Sequence, residues 1–225
     1  MDFFKLLRSL DELLFEILTW IIYYPRTLWM VVRRPLRMID YSNHEQVDKE
    51  EEQYTDTLSP PLLLLITLVF AHVIEVNVHR EVIKAGSDMA RAIVSSDQNV
   101  IALRAFVFGL LPLFTAAAYV KREKLPLERK YLRPPFFAEC YVVAVFVIFI
   151  AATSTISGLY PQAAHIVMPL GYAVAAGWYL TVETLQLRRT LGLDTGAAVA
   201  QAVWVMAKAL FLAILVALAL AGGNS

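Results

Sequence analysis

The chain has 225 residues, 58% of them hydrophobic, 20 basic and 20 acidic side chains, and a mean hydropathy of +0.57. Soluble domains average about 45–50% apolar residues; here the excess is gathered into runs of roughly 20 residues, the length that crosses a bilayer, so a soluble globular domain is excluded. The single cysteine, Cys140, excludes an internal disulfide and any multi-cysteine metal or redox motif.

The first segment, residues 1–38, carries polar groups at Lys5, Arg8, Glu12, Glu16 and Thr19, with Leu6, Leu10, Leu13, Leu14, Ile17 and Ile21 between them. That spacing predicts a helix with one polar stripe. The apolar run 17–24 is too short to span the hydrocarbon, and Pro25 is expected to interrupt it. Residues 3–38 are therefore read as two helices lying in the membrane interface, with Trp20, Tyr23, Tyr24 and Trp29 at headgroup depth. The competing reading is a sixth spanning helix over 13–32. No small-residue cleavage site follows the apolar segment, so no cleaved signal peptide is expected, and the first membrane helix is expected to direct insertion.

Residues 39–58 form an acidic linker: Asp40, Glu45, Asp48, Glu50, Glu51, Glu52 and Asp56 stand against Lys49 alone. Charge runs of this kind are solvated. The linker ends at Ser59-Pro60-Pro61, which predicts a helix start: Ser59 suits the N-cap, and prolines are tolerated in a first turn whose N–H groups lack partners anyway.

The remainder, 59–225, predicts an all-α polytopic membrane domain of five helices, at about 60–80, 98–120, 135–158, 162–186 and 197–221. The connection 81–97, broken by Gly86, is expected to hold a further amphipathic piece. Basic residues crowd the 121–133 loop (Lys121, Arg122, Lys124, Arg129, Lys130, Arg133), recur at Arg188 and Arg189, and are absent from the 158–161 turn and the carboxyl tail. The positive-inside rule then puts the N-terminus and both basic loops in the cytoplasm and the C-terminus outside, in a bacterial inner membrane on the periplasmic side.

Two hairpins share a pattern. Pro60-Pro61 opens the first span and Pro134-Pro135 the third, while Pro112 and Pro169 sit within the second and fourth. A parallel internal repeat would produce this, and so would chance, since proline is frequent in membrane helices.

Ionisable residues inside spans usually face the protein interior and mark function. Lys208 lies deepest, ~16 Å from the cytoplasmic edge at 1.5 Å per residue. Glu139 and Glu183 lie ~6–8 Å deep by the same arithmetic. A Lys208–Glu139 or Lys208–Glu183 pair is expected, acting as a proton or ion relay or as a structural ion pair. On the outer side His72, Glu75 and His79 share a helical face, with Arg104 at similar depth. These are metal-ligand types, but a site needs a further ligand and only His165 offers one. The preferred reading is an outer-leaflet polar cluster of His72, Glu75, His79, Arg104 and His165 with a Glu75–Arg104 ion pair. No metal and no cofactor are expected.

Nothing points to an enzyme: Thr153, Ser154, Thr155 and Ser157 sit in an apolar helix, where hydroxyls bond back to the backbone, and phosphate-loop, Rossmann and zinc-protease patterns are missing. Nucleic acid is not implied, since topology accounts for the basic residues.

Tyr23-Tyr24-Pro25-Arg26-Thr27-Leu28-Trp29 together with Glu52-Gln53-Tyr54-Thr55-Asp56-Thr57-Leu58-Ser59-Pro60-Pro61 resembles a group of short bacterial inner-membrane proteins generically labelled permeases. The layout over the whole chain also resembles the Yip-type proteins, the Rab-GTPase-interacting group, which join a cytoplasmic N-terminal segment to five spans. The first resemblance implies passage of a small solute or ion through a helix bundle. The second implies a non-transporting scaffold or assembly factor that docks a partner through its N-terminal segment. Membrane lipid, a second copy of the chain and a membrane protein partner are the interactions these imply.

Overall fold

The computed structural model describes residues 3–49, 52–78 and 96–221. Every regular element in them is helical: α1 (Phe3–Arg33), α2 (Pro35–Glu45), α3 (Pro60–Val78), α4 (Asp97–Arg122), α5 (Arg129–Leu159), a 3₁₀ turn (Pro161–Ala163), α6 (Ala164–Leu191) and α7 (Thr195–Ala221). Five helices, α3 to α7, are long and apolar enough to cross a membrane. The chain is an all-α polytopic protein.

Helix α5 is the axis. It packs against α1, α2, α3, α4 and α6, while α7 closes the far side against α4 and α6. The reason lies in its sequence: Ala138, Cys140, Val142, Val143, Ala144 and Val145 are small or β-branched, apolar on every side, and all buried. A helix apolar all round belongs inside, and small side chains let several neighbours approach at once. Helices α5 and α6 approach closely at Gly171 of α6, where a Cβ would lie 2.2 Å from Thr153 Oγ1.

The spans alternate in direction, so Lys121, Arg122, Arg129, Lys130, Arg133, Arg188 and Arg189 gather at one end of the bundle, hereafter the basic end. Helices α1 and α2 lie at that end. Residues Ser9–Leu18 of α1 are exposed on all faces; from Thr19 onward the helix is seated, with Thr27 and Val31 fully buried. Helix α1 is not among the five helices long and apolar enough to cross a membrane.

Three expectations are corrected. Pro25 does not end a helix; α1 runs through it to Arg33, and the break falls at Pro35, the first residue of α2. The lost hydrogen bond at Pro25 is offset by contacts on both sides: Tyr24 meets Thr67 (OH to Oγ1, 3.2 Å) and the Phe70 ring, and Thr27 Oγ1 accepts from Leu58 N–H at 3.1 Å. Pro134 and Pro135 lie inside α5, whose first turn begins at Arg129, so they do not mirror Pro60, which opens α3. The acidic linker is not wholly solvated: its first part is α2, and Tyr54, Thr57 and Leu58 are buried. Most of the expected amphipathic piece at 81–97 lies outside the described residues.

Candidate functional site

Most polar side chains in these helices are accounted for. Thr67, Thr153, Ser157 and Thr181 each donate to the carbonyl four residues back, to Leu63, Phe149, Thr153 and Gly177. Thr115 and Tyr179 meet hydroxyl to hydroxyl at 3.3 Å. These groups satisfy themselves or each other and need no ligand.

The Tyr54–Leu58 junction is a second satisfied region. Tyr54 adopts a left-handed backbone (φ 57°), unusual for a non-glycine residue. Its N–H donates to the Glu45 carboxylate, and its hydroxyl takes a bond from Gln46 Nε2 at 2.8 Å and lies 3.1 Å from Ser42 Oγ. Its ring stacks on Phe137 of α5. Three residues on, Thr57 Oγ1 sits 3.2 Å from the hydroxyls of both Tyr41 and Tyr141, and Tyr141 O–H donates to Leu58 C=O at 2.7 Å. The knot ties α1, α2 and α5 to the start of α3. Burial, with the nearby Glu45 and Asp56 carboxylates adding to it, pushes the Tyr41 phenol up to about 12, and burial raises Tyr54 likewise.

One place is different. Glu139 of α5 and Glu183 of α6 are 4% and 2% exposed and face one cavity together. Glu139 Oε2 and Glu183 Oε1 find no partner among the described residues, and neither does Oε1 of Gln186, itself 8% exposed and one turn beyond Glu183. All three side chains line a cavity of about 300 Å³ at the basic end. Its walls come from α4 (Thr115, Tyr119, Val120), α5 (Pro134, Pro135, Ala138) and α6 (Leu187), and its cover from α2 (Ile39, Asn43), with Glu123 and Lys130 at the rim. Asp40 of α2 reaches Arg189 of α6 at 2.7 Å and ties the cover to the bundle.

Lys208 does not join this pair. It is exposed on α7, with its ammonium 5.0 Å above the Trp204 ring. The sequence reading assumed that a lysine stem would seek the glutamates; the turn of α7 faces it outward instead, where a cation over an aromatic face is stabilised. The two glutamates meet each other.

At the opposite end, Arg104 pairs with Glu75, which also accepts from Ser154 Oγ at 3.4 Å. His72 is buried, its Nε2 3.2 Å from Asp97 Oδ1. His165 is exposed and makes no described contact with this group, and His79 lies outside the described residues. Among the described residues no three His, Cys, Asp or Glu side chains are arranged to hold a metal.

Sequence reasoning missed Gln186, though the Glu183-x-x-Gln186 spacing puts both on one helix face. It also missed Asp97 and Ser154, which no spacing could supply because they come from other helices. No protein-family model, curated protein or solved structure matches the chain. The class defined by fold and site is a multi-pass integral membrane protein with a buried dicarboxyl pocket at one end of its bundle.

Proposed function

We propose that the protein is a permease-like carrier or channel in which the Glu139–Glu183 pair receives a small solute or ion at the basic end of the bundle. The observation behind this reading is the pair itself: two buried carboxyl groups with unpartnered oxygens, opening on a cavity. Desolvating a charge costs several kcal/mol, and an apolar substitute of similar volume is often as stable or more so. Each unpartnered buried acceptor costs about 1–3 kcal/mol. Such an arrangement is poor as architecture and suits a site whose ligand supplies the missing donors. By the positive-inside rule the pocket faces the cytoplasm of a bacterial cell, with the N-terminus beside it and the C-terminus in the periplasm. Exposed Leu14, Phe15, Leu18 and Ile22 of α1 rest against lipid in this arrangement.

The test is flux. Purified protein in liposomes, assayed for membrane current and counterflow with a panel of small cations, should move at least one of them, Glu139→Gln should abolish it, and Lys208→Gln should leave it intact. Protein that moves nothing across the panel sinks the reading. A second reading draws on residues Ser9–Leu18 of α1, exposed on every face: a non-transporting scaffold that docks a partner through its N-terminal segment. Transport-inactive protein that loses a co-purifying partner on deletion of residues 1–56 would establish it.

A further inference from the structure

Resting on the carrier reading, we propose that the Glu139–Glu183 pocket takes a small organic cation with a primary ammonium head. The nitrogen is held by Glu139, Glu183 and Gln186, and the short hydrocarbon body lies against Ile39, Pro135 and Leu187.

Three observations converge on this chemistry. The unpartnered atoms Glu139 Oε2, Glu183 Oε1 and Gln186 Oε1 are all acceptors, so the ligand must be a donor. An ammonium has three N–H donors and no acceptor, which matches three oxygens and leaves none of its own protons stranded. Ionising either of these buried carboxyl groups demands a counter-charge in the pocket. Lys130 does not supply it: the lysine is exposed at the rim, with its ammonium 5.4 Å above the Tyr131 ring. Glu123, the other charged residue at the rim, has the wrong sign.

Size and lining decide between an organic and an inorganic cation. The cavity of about 300 Å³ is roughly ten times a water's share of liquid volume and falls at the lower end of small-molecule sites. Hard divalent cations take six or more oxygens, and no group of three His, Cys, Asp or Glu stands here among the described residues. Apolar walls from Ile39, Val120, Pro135, Ala138 and Leu187 suit a few carbons behind the nitrogen and would strand a hydrated ion.

The experiment uses the full chain in lipid nanodiscs, with isothermal titration and thermal unfolding as readouts. The probes are n-butylammonium, tetramethylammonium (no N–H donor), n-butanol (no charge) and sodium chloride, at equal ionic strength. The expected result is binding of n-butylammonium alone. Glu139→Gln and Glu183→Gln each weaken it about tenfold or more, the scale of a lost charge-assisted hydrogen bond, and Lys208→Gln leaves it unchanged. Wild-type protein that ignores n-butylammonium, or responds equally to tetramethylammonium or sodium, overturns the proposal. So does binding that survives both glutamine variants. If a variant fails to fold, the wild-type probe series alone decides. Glutamate-dependent flux without ammonium binding would refute this ligand class and leave the carrier reading standing; ammonium binding with no flux would do the reverse.

Discussion

The junction at Tyr54–Leu58 and the pocket at Glu139–Glu183 lie at the same end of the molecule and both bury polar groups, yet they are built to opposite rules. In the junction the hydroxyls meet partners: Tyr54 bonds to Ser42 and Gln46, Thr57 joins Tyr41 and Tyr141, and Leu58 is bonded through both its N–H and its C=O. In the pocket, three of the side-chain oxygens are left without one. A satisfied network in a low-dielectric surround rigidifies and specifies. An unsatisfied one stores free energy that a ligand can recover. The difference separates architecture from site inside one small protein.

The contrast can be broken by substitution. Tyr141 is fully buried and bonded, so Tyr141→Ala should destabilise most, by about 3–5 kcal/mol on the scale of aromatic-to-alanine core changes, read as a fall in unfolding midpoint in detergent. Gly171→Ala drives a methyl into Thr153; overpacking of this sort costs about 1–3 kcal/mol and should separate α6 from α5, while Gly177→Ala, with nothing within 4 Å of the added carbon, should be tolerated. Glu183→Gln should go the other way, leaving stability unchanged or raising it by about 1 kcal/mol because a buried ionisable group gives way to a neutral one of the same shape, even as flux disappears. A clear loss of stability in that variant would make the pair structural and erase the contrast.

Smaller effects probe the junction's electrostatics. The Tyr41 phenol is raised from 10.0 to about 12, so it keeps its proton in the folded chain after the unfolded chain has lost it. Its contribution is whole below the unfolded value and is lost as pH climbs through the folded one. Stability should therefore fall between those two pH values, and Tyr41→Phe should flatten that fall, as followed by unfolding midpoints and tyrosinate absorbance. Least of all, Asp40→Asn should cost at most about 1 kcal/mol, since the Asp40–Arg189 pair is partly exposed.

Much of this was legible beforehand because the governing periods are local. Runs of apolar residues announced the five spans, and Ser59-Pro60-Pro61 marked the start of α3, where Leu63 N–H bonds to Ser59 C=O at 2.9 Å. The two glutamates stood out as buried charges in apolar helices. Their partner was misjudged. Opposite charge favoured Lys208, but which face of α7 turns inward depends on how α4 and α6 seat it. Pro25 was misjudged for a related reason: a helix interrupted by proline is costly alone, and here Tyr24 and Thr27 are pinned on either side of it by α3 and Leu58.

The sequence by itself determined that this chain is helical, that five of its helices are long and apolar enough to cross a membrane, and about where those five run, because the cost of bare backbone and charge in hydrocarbon leaves few alternatives. Only the tertiary structure decided that α5 is the axis, that the acidic linker folds into a tyrosine knot, and that Glu139 meets Glu183 rather than Lys208. Those outcomes rest on the azimuth of each helix about its own axis. That angle is set by close packing among neighbours distant in sequence, such as Gly171 against Thr153, and no periodicity within a single helix encodes it.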